Sequence, residues 1–148
     1  MQTDEESPAL ASVIHAADPR ASHQMLKGWH DVEQNSWRWT QSKFSVLLHP
    51  PRDSARNGAV LQLQFSLPQV SISKLKTISL SAAVAGKPLS PETYTLAGDY
   101  TYSRDVPPDL LTGDAVTVEF TLDKALPPNP SDQRELGVIV QMVGLEPK

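Results

Sequence analysis

The sequence contains no cysteine. That absence excludes disulfide frameworks, thiolate metal sites and cysteine nucleophiles, and it fits a reducing compartment. Aromatic residues make up only 6% of the chain, so any cluster of them is informative. No apolar run approaches the ~20 residues that a membrane-spanning helix requires. The opening stretch MQTDEESPAL lacks the basic region and apolar core of a secretory signal. The expectation is a cytoplasmic protein without membrane association. Lys and Arg total 13 against 17 Asp and Glu, a net charge of −4. Without clustered basic residues to neutralise phosphates, nucleic-acid binding is not expected. The motifs G-x-S-x-G, P-loop and H-E-x-x-H are also missing. His15, His23, His30 and His49 are scattered, with no i, i+4 pairing, so no metal site or cofactor is expected. The chain is not expected to be an enzyme.

What is present fits one domain of 148 residues, with 13 prolines and 7 glycines marking frequent turns. Residues 1–6 are polar and acidic, and disorder is expected there. Ser7-Pro8, as N-cap and first helical position, followed by Leu10, Val13, Ile14 and Ala17, predicts a short amphipathic helix that ends at Asp18-Pro19. Residues 1–25 are thus expected to form a flexible N-terminal segment with a short helix, and 26–148 the domain proper.

Within that domain, alternation predicts strands. Leu61, Leu63, Phe65 and Leu67 share one face, with Gln62, Gln64 and Ser66 on the other. Ile78, Leu80, Ala82 and Val84 repeat the pattern, as do Val116, Val118, Phe120 and Leu122. Each such row belongs to an antiparallel sheet with one wet face. Residues 136–145 are apolar on both parities, which predicts a central strand. Trp37 and Trp39 alternate on the opposite parity from Phe44, Val46 and Leu48. That change predicts a short strand, a tight turn near residues 40–43 and a longer strand. Asp123 to Gln133 carries prolines that cannot join a ladder, and it predicts a long exposed loop. The fold class expected is all-β, an antiparallel β-sandwich of jelly-roll type with a short N-terminal helix.

All three tryptophans fall between Gly28 and Leu48. Indole faces stack on sugar rings, while Arg and carboxylates bind hydroxyls. Trp29, Glu33 and Arg38 are candidate ligand residues on that basis. Trp37 and Trp39 weigh more toward the core. Tyr100 and Tyr102 share a side and form a second candidate group, which cross-strand packing would equally explain. Arg134, beside Asp132 and Glu135, is a third candidate, with a loop-fixing ion pair as the competing role.

The strings GW-x-x-x-E at Gly28 to Glu33, WRWT at Trp37 to Thr40 and RELGV at Arg134 to Val138, with a Pro-rich loop before the last, resemble a small bacterial β-sandwich family. Its members are similar to galactose-binding-like jelly rolls and occur alone or attached to enzymes of surface-polysaccharide synthesis. The resemblance spans about residues 26–146 and leaves the N-terminal region outside. His30 stands where an aromatic residue often follows the Trp. The resemblance implies a fold and a setting but no catalytic residues. Together these readings point to a non-catalytic carbohydrate-recognition or accessory domain linked to glycan synthesis, with a glycan or nucleotide-sugar product as ligand. The alternative is a scaffold that engages a protein partner, or a second copy of itself, through a sheet edge or the N-terminal helix.

Overall fold

The computed structural model describes residues 10–148. Among the described residues, ten strands form one antiparallel sheet that folds over on itself into two layers. They are β1 (Val13–His15), β2 (Met25–Glu33), β3 (Trp37–Leu48), β4 (Ala59–Leu67), β5 (Ile78–Val84), β6 (Lys87–Pro88), β7 (Glu92–Tyr94), β8 (Gly98–Val106), β9 (Val116–Leu122) and β10 (Ile139–Pro147). The strand order is β6-β5-β9-β3-β10-β4-β8. On the flanks, β1 pairs with β10, β2 with β3 and β7 with β5. From β3 onward the chain passes back and forth between the layers, with β5, β6 and β7 together in one of them, which is jelly-roll connectivity.

The alternating rows pack as expected. Leu61, Leu63, Phe65 and Leu67 are buried against Ile78, Leu80, Val84, Val116, Val118 and Phe120 in one core. Phe44 and Phe120 stack with ring centroids 5.0 Å apart. Burying each large side chain of these rows contributes about 1.5–3 kcal/mol. β10 is paired along one edge with β4 and along the other with β3 and β1, so both its edges are satisfied and it is a central strand.

The layers join at a tight corner between β3 and β10. The buried Thr40 donates its N–H to Val138 O at 2.9 Å and accepts from Val138 N on its hydroxyl at 3.2 Å. Gly137 is needed there, because a Cβ would lie 2.6 Å from Gln41 O and 2.7 Å from Thr40 Oγ1.

Three features depart from the sequence expectations. The turn expected near residues 40–43 is instead a bulge within one continuous strand, β3. The register moves from Lys27↔Ser45 to Trp29↔Thr40, so five steps on β3 face two on β2. A bulge changes parity without reversing the chain. The reversal lies earlier, at Gln34 and Asn35, both with positive φ (54° and 53°) between β2 and β3.

A short helix does lie near the N-terminus, but as a 3-10 helix at Pro19–Gln24, capped by the Asp18 side chain. Of the helix expected over residues 7–17, residues 7–9 lie outside the described residues and Val13–His15 form β1. The helical spacing of Val13 and Ile14 lost to pairing with an open edge of β10, which buries Ile14. Residues 13–24, expected to be flexible, are thereby built into the sandwich. The buried Gln24 side chain accepts from Ala11 N and donates to Ala11 O and Leu47 O, fastening this segment to β3.

Candidate functional site

Cross-strand partners share a face, so the register maps the outer surface of the β1-β10-β4-β8 layer. One row runs Trp39, Ile139, Ser66, Asp99. The next runs His15, Met142, Gln64, Thr101, and the next Val13, Gly144, Gln62, Ser103. Gln141 bulges out between the first two rows. Its Nε2 donates to Ser66 Oγ at 2.9 Å, and Ser66 Oγ donates to Asp99 Oδ1 at 2.6 Å. Gln64, Phe65, Asp99, Tyr100, Thr101 and Gln141 line a depression of about 350 Å³. That size lies at the small end of ligand sites, roughly 300–1,000 Å³. Trp39 and Trp37 are half-buried and stand outside the core cluster. Trp37 Nε1 is inaccessible and has no hydrogen-bond partner among the described residues. The face thus offers an indole beside a line of amide, hydroxyl and carboxylate groups, the side-chain chemistry that holds polyhydroxylated ligands.

The six candidates from the sequence do not assemble into one site. Trp29 packs on the core: its ring meets Phe44 edge-on at 5.3 Å and its Nε1 donates to Ser45 O. Arg38 is committed to backbone, donating to Ala16 O at 2.9 Å and His30 O at 3.0 Å. These bonds pin β1 and β2 to β3. Glu33 and Arg134 do meet, at 2.9 Å, and Arg134 also holds Asp132 at 2.8 Å. These contacts hold Asp132 down to about 2, the Arg134 hydrogen bonds being the main cause. They raise Arg134 in turn, and the cluster fastens the 123–136 loop to the β2–β3 hairpin. Beside it, His30 Nε2 meets Glu135 O at 2.7 Å.

Tyr102 is only 1% exposed and donates to Ser90 O, so it presents no face to a ligand. Tyr100 leans on the Phe65 and Tyr94 rings and donates to Leu96 O. Burial pushes the Tyr94 phenol up to about 12 and raises that of Tyr102 as well. Arg104 lies 4.4 Å over the Tyr102 ring and pairs with Glu92 at 2.9 Å. This group closes the side of the sandwich where β8 passes β7. Both tyrosines share the parity of the buried Val106, and that parity is the core side.

The residues that do share the outer face, Trp39, Gln64, Ser66, Asp99, Thr101 and Gln141, were not among the candidates. The wet parity of Gln62, Gln64 and Ser66 was the available signal, but only strand order brings Asp99 and Trp39 to the same row. Among the described residues, no group of three His, Asp or Glu side chains is placed to hold a metal ion. No helix among them is long and apolar enough to cross a membrane.

No protein-family model matches the chain, and no curated protein matches it in sequence. Solved structures share its fold. An acetyl xylan esterase from the rumen bacterium Butyrivibrio proteoclasticus superposes with a TM-score of 0.54 at 8% identity, over 95% of this chain and 33% of the esterase. The CBM36-1 domain of a multidomain xylanase, from the hindgut metagenome of Trinervitermes trinervoides, gives 0.51 at 11% identity over 92% of this chain and 96% of that domain. Dimeric latent PorU from Porphyromonas gingivalis gives 0.50 at 6% identity, over 94% of this chain and 13% of PorU. The chain therefore matches one module of the two larger proteins and nearly all of the CBM36-1 domain. At these identities the likeness is one of fold.

Proposed function

We propose that this domain binds carbohydrate without transforming it. The observation that carries the reading is the open face on which Trp39 lies in register with the hydrogen-bonded Gln141–Ser66–Asp99 line. An indole supplies a stacking plane, and the amide and carboxylate groups supply directed partners for hydroxyls. Among the described residues Asp99 is the one carboxylate lining the depression, whereas a glycosidase flanks its bond with two. Two of the structural neighbours are named for xylan or its degradation, which supports a polysaccharide as the ligand class. The setting we infer is that of an accessory domain beside enzymes that build glycans, following the resemblance of the Gly28 to Glu33 and Trp37 to Thr40 strings. Calorimetry against neutral hexasaccharides tests the reading. Trp39→Ala and Gln64→Ala are each expected to weaken binding about tenfold or more, a loss of about 1.4 kcal/mol. If no saccharide binds at millimolar concentration, the reading fails.

A second reading, an assembly scaffold, draws on β8. This nine-residue strand ends the sheet order, with no strand pairing on its outer edge among the described residues. Such edges accept an added strand. A chain that sediments as a monomer at high concentration and captures no partner would dispose of it.

A further inference from the structure

We infer, resting on the carbohydrate-binding reading, that the Gln141–Ser66–Asp99 line selects neutral glycans and rejects uronic-acid glycans, with Asp99 as the specificity-determining residue. The direction of the hydrogen bonds carries this. Gln141 donates to Ser66, and Ser66 spends its only proton on Asp99 Oδ1. What remains for a ligand is the Asp99 Oδ2, which can only accept, beside the Gln141 carbonyl and the second Gln141 N–H. Hydroxyls satisfy acceptors by donating. An ionised ligand carboxylate only accepts, so at Asp99 it brings no proton and meets a like charge.

Charge acts in the same sense. The outer face carries Asp99, Asp105 and Glu146 against His15 and Lys148. Lys148 lies 3.7 Å from Asp105, at the far end of β8 from Asp99. Asp99 has no ion-pair partner among the described residues, so its charge faces whatever enters the depression. In the tryptophan region Arg134 is already held by Glu33 and Asp132, and the Arg38 guanidinium is turned to the backbone oxygens of Ala16 and His30.

The test is calorimetry on the full chain with hexasaccharides of glucose, mannose and galactose, each beside its C6-oxidised uronate. Neutral members are expected to bind, and the uronates to bind about tenfold more weakly or worse. Asp99→Asn keeps an acceptor for Ser66 and removes the charge. It is expected to narrow the gap to about threefold or less, and the wild-type gap is expected to shrink as salt is raised. Unchanged circular dichroism would establish that the variant is folded. Uronates binding as well as neutral sugars, or a gap that Asp99→Asn leaves intact, would overturn this inference while leaving the carbohydrate-binding reading standing. Failure of every saccharide, charged or neutral, would overturn both.

Discussion

Gly28 sits where β2 crosses the bulge of β3, with φ at +80° and no room for a side chain. A Cβ there would lie 2.0 Å from Lys43 O and 2.7 Å from Phe44 Cα. Both are backbone atoms of a strand that is buried against β9, so neither can move aside cheaply. Gly86, in the turn before β6, is a natural control. Its φ is +84°, yet a Cβ would meet nothing within 4 Å. Gly86→Ala is expected to cost about 1–2 kcal/mol, the left-handed backbone penalty alone. Gly28→Ala adds an overlap with backbone and is expected to cost about 3 kcal/mol or more. Urea midpoints of the two variants at unchanged slope check this, and equal losses would show that the close approach at Gly28 is unimportant. The sequence places Gly28 beside Trp29, and the indole alone invites a ligand role. Their structural role depends on the bulge opposite, which is visible only as a parity change ten residues later. The reverse holds for Trp39. A tryptophan on a sandwich strand argued for the core, and the parity it shares with Trp37 tells which residues share a side and not which side is wet.

Among the elements, β4, β5, β9 and β10 were legible because each has an unbroken alternation or a doubly apolar run. Their bounds in the structure lie close to those expected. β1 and β2 were not legible. β1 is three residues whose ladder depends entirely on β10, and β2 is broken by three register shifts that erase any period. The loop after β9 was legible as a loop, since Pro127, Pro128 and Pro130 forbid a ladder, but its latch was not. Arg134 reaches back 101 residues to Glu33. That latch carries a pH dependence of definite sign. The Asp132 carboxyl is depressed from 3.8 to about 2, so the folded state binds its proton less readily than the unfolded chain. Its stabilisation is complete above the ordinary value and is lost as pH falls toward about 2. Arg134→Met is expected to lower the urea midpoint at neutral pH and to flatten its acid dependence in the window from 3.8 to about 2. Parallel wild-type and variant curves through that window would mean the latch does not couple to folding.

At the scale of the whole molecule, the open question from the sequence was whether the first 25 residues belong to the fold. Alternation within a strand says nothing about its neighbours, so neither the strand order nor the seat of β1 could be derived. The structure closes one edge of β10 with β1, and the fit is specific. A Cβ on Gly144 would lie 2.6 Å from Val13 Cγ2, so this glycine lets β1 approach. Leu145 N donates to Ser12 O and Ala16 N to Gln141 O, which ties both ends of β1 to the strand that also bears the proposed binding line. Deleting residues 1–24 would therefore strip a strand from the sandwich instead of trimming a tail. It removes Ile14, Ala16 and Ala21 from the buried set, frees the backbone groups of β10, and takes away the Gln24 bond to Leu47. Losing Ile14 alone costs about 1.5–3 kcal/mol, and the unpaired edge adds to that. The truncated chain is expected to unfold at least about 3 kcal/mol more easily, to aggregate through the bared β10 edge, and to bind saccharide more weakly because Gln141 loses its backbone partner. A truncated chain with the full-length midpoint would instead mean that β1 contributes nothing to the folded state, and the two-layer closure around β10 would have to rest on β3 and β4 alone.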